Sequence, residues 1–144
     1  MREILFRGKR ITDDKWVYGS FCMDALEQKN GLCGVDGFIR LYDHIEGKMQ
    51  MYEVDRETVC QYTGLTDKNG TKIFEGDIIR AKIESGNHEG FAWPNMPVDF
   101  QKGSFCLNDR NGYVFAVLGA FAPRVTFEVI GNIHDNPELL QGGE

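Results

Sequence analysis

The sequence predicts a mainly β fold of two small β lobes, the second a small, strongly bent antiparallel barrel of about five strands, and three observations carry that expectation. Glycine contributes 17 of the 144 residues and is joined by 10 Phe, 5 Tyr and 2 Trp, a composition suited to short strands and tight turns rather than helical bundles. Turn signals recur at strand-length intervals: 9–14, Asn30-Gly31, Glu46-Gly47, 67–70, 85–87, Lys102-Gly103 and 109–112. Apolar and polar residues alternate with a period of two at 77–84 and again at 125–129, as in half-buried strands. The length fits one ordinary domain or two small lobes sharing a core.

Taken in order, Ile4 and Phe6, Trp16 to Tyr18, Phe38 to Tyr42 and Met51 to Val54 read as strands of the first half. A helical turn is expected at Asp24-Ala25-Leu26-Glu27, with Asp24 as N-cap, Glu27 completing a capping box and Asn30-Gly31 as the stop. Strand grouping puts a division near 60–65, giving lobes at 1–60 and 61–144 or one integrated domain. After it, Glu75-Gly76-Asp77 opens a strand over 77–84, with Ile79, Ala81 and Ile83 inward and Arg80, Lys82 and Glu84 outward. A long loop and a short strand follow. Ser104 to Leu107 and Tyr113 to Val117 flank Asn111-Gly112, a dipeptide that tolerates the positive φ angles of a type I′ hairpin turn. Val125 to Ile130 is the closing strand. Pro137 to Leu140 forms a short C-terminal helical turn, with Asn136 as its N-cap.

A net charge of −6 and a pI of about 5.1 set the summed field against phosphate backbones and anionic lipid. The longest apolar run, Val114 to Ala122, contains Gly119 and stops at Pro123, far short of the ~20 residues that span a bilayer. Arg2 to Arg10 is a basic-apolar mixture without a following apolar stretch, so no secretory leader is expected and the cytoplasm is the expected compartment. Cys22, Cys33, Cys60 and Cys106 are scattered without a C-x-x-C pair, and His44, His88 and His134 are equally dispersed. The cysteines read as reduced, buried thiols, and neither a metal nor another cofactor is expected.

The segment Gln61-Tyr62-Thr63-Gly64-Leu65-Thr66-Asp67-Lys68-Asn69-Gly70-Thr71-Lys72-Ile73-Phe74-Glu75-Gly76-Asp77-Ile78-Ile79 resembles the central signature of the YopX family, small proteins encoded by bacteriophages and prophages. The opening 2–10 with Trp16-Val17-Tyr18-Gly19, the stretch 54–59 and the ending 129–140 extend the likeness nearly end to end. Gly19 to Val54 and Ile83 to Phe100 are the least similar stretches. The resemblance implies a mainly β protein of two small lobes that works in the host cytoplasm. It implies no reaction and brings no catalytic residue with it.

Three sets of residues are candidates for a site. Phe91, Trp93 and Met96 lie in a stretch where Pro94 and Pro97 hold the preceding residues extended, which suits a loop that presents apolar side chains to a protein partner. Lys72, Arg80 and Lys82, with Tyr62 and Phe74 as stacking aromatics, could form a nucleic-acid face, although Asp67, Glu75, Asp77 and Glu84 dilute its charge. Glu75, Asp77 and His134 could serve as acid and base of a hydrolase, yet no nucleophile elbow, H-E-x-x-H or Walker sequence accompanies them. The expected function is therefore a non-enzymatic phage accessory protein that binds a host or phage protein. A nucleic-acid-binding barrel and a hydrolase are the alternatives. Bare strand edges also favour pairing into a homo-oligomer.

Overall fold

The computed structural model describes residues 1–23, 37–43, 46–83, 90–121 and 124–141. The helical turn expected at Asp24 to Glu27 lies outside them, as do Cys33, His44, Glu84 and His88. Ten strands are described: β1 (Phe6–Arg10), β2 (Trp16–Met23), β3 (Gly37–Asp43), β4 (Lys48–Thr66), β5 (Lys72–Phe74), β6 (Asp77–Ile83), β7 (Met96–Gln101), β8 (Ser104–Asn108), β9 (Val114–Val117) and β10 (Val125–Asn132). Two single 3-10 turns, Leu118–Ala120 and Pro137–Leu140, are the helical elements among these residues. The fold is thus mainly β and antiparallel, with the C-terminal helical turn at the expected place. The chain divides into two compact units, Met1–Tyr62 and Thr63–Glu144.

In the first unit the strand pairings close on themselves. β1 pairs with β2, β2 with β3, β3 with β4, and β4 returns to β1, all antiparallel. So small a ring requires inward positions without side chains. A Cβ on Gly19 would overlap the backbone carbonyl of Arg40, one on Gly37 would overlap the Phe21 ring, and one on Gly8 would sit 3.0 Å from Val54. Phe6, Phe21, Ile39 and Val54 then fill the space the glycines leave, with the two rings 5.9 Å apart. Where β1 and β4 meet, the register slips between Arg7 and Lys9, a bulge that strands the Lys9 N–H. Thr58 repairs it: its hydroxyl accepts from Lys9 N at 2.8 Å and donates to the Asp55 carbonyl at 2.6 Å. Arg7, 7% exposed and on the face of β1 opposite Phe6, sets its guanidinium 4.6 Å from the centre of the Trp16 ring, a cation–π contact.

The second unit holds a five-stranded antiparallel sheet in the order β10-β6-β7-β8-β9. Ile79, Ala81, Met96, Val98 and Leu107 on its inner face, with Ile73 and Leu118, form the core. The sheet wraps this core far enough for its two end strands to be bridged by aromatic rings, described below. Lys102 and Gly103 both have positive φ, 51° and 79°, so the two-residue turn between β7 and β8 is the type I′ turn of this region. The β8–β9 hairpin forms as expected, but through a longer loop: Gly112 has φ 78° and Asn111 does not have positive φ. Asp109 takes over the turn, its carboxylate accepting the N–H groups of Asn111 and Tyr113 at 2.8 and 3.0 Å.

Candidate functional site

The loop residues 91–93 run beside β6 as an irregular extension of β7. Ile83 donates to the Phe91 carbonyl at 2.9 Å and Trp93 to the Ala81 carbonyl at 3.0 Å, while Ala92 forms an isolated bridge with Lys82. Ala92 therefore faces outward with Lys82, and Phe91 and Trp93 turn toward the inner face with Ala81. The Phe91 ring meets Trp93 edge-on at 5.5 Å. Trp93 in turn touches Phe115 at 6.4 Å and Phe121 at 6.3 Å, and Phe121 packs on Phe127 of β10 at 4.9 Å. A continuous row of rings thereby links end strand β9 to end strand β10. Phe115 joins it because β9 carries a bulge there: Leu107 pairs with Ala116 and Asn108 with Val114, leaving Phe115 as the extra residue.

One face of this row is covered and one is open. Trp93, Phe121 and Phe127 are half-buried against the core, whereas Phe91 is 63% exposed and Phe115 46%. Met96, expected to face outward with them, is 4% exposed and belongs to the core. It lies opposite Ile79 in the β6–β7 register, which sends both side chains inward. The rings of Phe115, Phe121 and Phe127 were not singled out from the sequence. For Phe115 and Phe121 the signal is the uncharged run from Val114 to Ala122, and for Phe127 it is the alternation at 125–129.

The acidic and amide groups of the signature are engaged with backbone. Asp77 is 2% exposed, and its carboxylate accepts the Phe74 N–H at 2.8 Å, closing the turn in which Gly76 has φ 78°. Asp67, 7% exposed, accepts from Asn69 N, Thr71 N and Val129 N at 2.8, 2.9 and 3.0 Å. Burial pushes its carboxyl up, and the three backbone donors with the Thr71 hydroxyl outweigh that and hold it below the ordinary carboxylate range. In the ending, Asn132 Oδ1 accepts from His134 N and Asp135 N at 3.0 and 2.9 Å, and Asn136 N donates to the Asn132 carbonyl at 2.8 Å. Asn136 is not the side-chain cap of the final 3-10 turn. Its Oδ1 instead accepts the Asn132 N–H at 3.3 Å.

The backbone does gather the three hydrolase candidates. Asn132 lies opposite Asp77, and Ile133 donates to the Gly76 carbonyl at 2.8 Å, so the Glu75-Gly76 turn runs beside His134. Asp77, however, is enclosed and bound to Phe74, out of reach of a substrate. A second polar group sits on β7 and β8, where Asp99 accepts from Asn108 Nδ2 at 2.8 Å and Gln101 Nε2 at 2.9 Å. Burial raises the Asp99 carboxyl, and these side chains with the Phe100 N–H more than reverse it, leaving it low. The neighbouring Cys106 is 1% exposed, and burial first and the Asp99 charge second push its thiol up, the opposite of what a nucleophilic thiol needs. Among the described residues no three His, Cys, Asp or Glu side chains come together as a metal site.

For the nucleic-acid face, Lys72 and Arg80 are exposed and Lys82 is half-buried. Arg80 stands opposite Glu128 across the β6–β10 pair, and Lys68 Nζ lies 3.5 Å from Glu128 Oε2, so a carboxylate sits between the cations. Tyr62 and Phe74 are 8% and 3% exposed, which removes them as stacking platforms for bases. No helix among the described residues is long and apolar enough to cross a membrane.

Comparison with known proteins follows the same lines. No curated protein matches the chain. The crystal structure of protein EF1440 from Enterococcus faecalis is similar over 97% of this chain and 99% of that one, with a TM-score of 0.53 at 23% sequence identity, a likeness of fold. The family profile described as YopX protein matches residues 5–141. It covers the signature turn on Asp67, the closed turn on Asp77 and the Asn132 clip alike, and the chain belongs to the YopX family.

Proposed function

We propose that the chain is a non-enzymatic accessory protein of phage or prophage origin that acts in the host cytoplasm by binding another protein. The docking surface in this reading is the open side of the aromatic row, centred on Phe91 and Trp93 and continued by Phe115. The observation that carries it is the contrast in how side chains are used: the carboxylates of Asp67 and Asp77 are bound to backbone and buried, while a ring as large as Phe91 is left 63% exposed on a half-buried Trp. Aromatic anchors of this kind are enriched at the centres of protein interfaces.

The test is affinity capture from phage-infected host lysate with the wild-type chain and with Phe91→Ala. A host or phage protein retained by the wild type and lost from the variant, at unchanged melting temperature, supports the reading. Identical captures from both would refute it. A steep loss of oligonucleotide binding with salt, abolished by neutralising Lys72, Arg80 and Lys82, would favour the nucleic-acid alternative instead.

A further inference from the structure

We infer that β9 is a self-association edge, at which two copies pair their Val114–Val117 strands antiparallel about a twofold axis. The sheet of the second unit ends in β10 on one side and β9 on the other. The β10 edge is already occupied. Lys68 N donates to the Phe127 carbonyl at 3.0 Å, and Val129 N donates to Asp67 Oδ2 at 3.0 Å, so the signature turn lies along it in place of a further strand. No strand among the described residues pairs with the far side of β9. A row of backbone donors and acceptors in that state is a template for another extended chain.

A second copy is the occupant that the chemistry favours. From Asn111 to Pro123 there is no charged residue, in a chain whose net charge is −6. Two such molecules carry the same net charge, and a twofold pairing at β9 sets an uncharged edge against its own image. The rim is apolar as well: Tyr113 is 71% exposed, Val114 38%, Phe115 46% and Val117 43%. Antiparallel pairing about a twofold axis near the Phe115 bulge brings Val114 and Val117 of both copies to the shared edge. Because the sheet has a single bare edge among the described residues, the assembly closes at two copies and does not grow into a fibre.

The contact is small. Partly exposed rings and two valines offer on the order of 500 Å² per copy, against roughly 800 Å² per partner in a standard interface. The expected association is therefore in the micromolar range rather than tighter.

Sedimentation velocity from about 1 to about 300 μM tests this. The wild-type chain is expected to pass from monomer to dimer across that range and no further. Val117→Lys and Val114→Lys each place a cation into an apolar strand pair and should remain monomeric throughout, with circular dichroism unchanged and the melting temperature lowered by no more than a few degrees, because both positions are partly exposed and a Lys can carry its ammonium out to water. A wild-type chain that stays monomeric at the top of the range would overturn the inference. So would a dimer that survives both lysine variants, or an assembly larger than two. None of these outcomes depends on Phe91, so the partner-binding reading stands or falls separately.

Discussion

Two loops of the second unit carry nearly the same sequence, Asp67-Lys68-Asn69-Gly70-Thr71 and Asp109-Arg110-Asn111-Gly112-Tyr113, and they fold alike bond for bond. In each, the first Asp N–H donates to the carbonyl of the fifth residue at 2.8 Å, and the glycine N–H returns to the Asp carbonyl at 3.0 or 3.1 Å. In each, Asp Oδ1 accepts the third and fifth N–H groups, and the glycine has φ near 80°. Their fates differ because of what lies beside them. The first spends its remaining carboxylate oxygen on Val129 and covers the β10 edge, while the second turns the chain into β9 and leaves that edge bare. Local chemistry thus determines the loop, and tertiary surroundings determine whether it becomes a clasp.

That equivalence can be broken most forcefully at the aspartates. Asp67→Ala strands three N–H groups in a buried place and should cost about 3 kcal/mol, whereas Asp109→Ala, at a half-exposed loop, should cost about 1 kcal/mol. Urea unfolding of both variants measures the gap, and equal losses would mean that docking on β10 adds nothing. Next in size is Trp93→Ala, which removes the ring between Phe115 and Phe121. A half-buried Trp at this position should be worth about 2 kcal/mol, and no measurable loss would make the aromatic row decorative. Gly70→Ala and Gly112→Ala sharpen the comparison from the other direction. Both glycines have positive φ and open space around the Cβ position, so each substitution should cost about 1 kcal/mol of backbone strain, and the two costs should match.

The smallest effect is a slope. Because the Asp67 carboxyl is held low in the folded state, its contribution is present above the ordinary carboxylate range and is lost as pH falls through the depressed folded value. Asp67→Asn should flatten the acid limb of the stability curve, measured by thermal melts between neutral and acidic pH. Asp99 contributes in the same direction and should leave a residual slope.

Much of the architecture was legible because it rests on local signals. The alternation at 77–84 and 125–129 located β6 and β10, whose Ile79, Ala81, Phe127 and Val129 all pack in or against the core, and the loop around Asn111-Gly112 located the β8–β9 hairpin. The three-residue β5 and the full 19-residue length of β4 were not legible, since pairing with distant strands and not local pattern defines them. The candidate site was partly legible. Phe91 and Trp93 were singled out by their place in a Pro-restricted stretch, but the inward turn of Met96 follows from its register with Ile79, and the recruitment of Phe115 follows from a bulge that no spacing rule marks. The repeated Asp-x-Asn-Gly loop was visible as two turn signals, yet the hydrogen bonds to Phe127 and Val129 that separate them were not.

The closed ring of the first unit has a consequence for synthesis. β1 finds its second partner only at Val54 to Gln61, so that edge of β1 stays uncovered until most of its unit has been made. Until then the nascent chain carries an unpaired edge on β1, and contacts so distant along the chain form slowly. β1 carries Phe6, Arg7, Lys9 and Arg10 beside its single glycine, so its cations are what guard that edge against a premature partner while it waits.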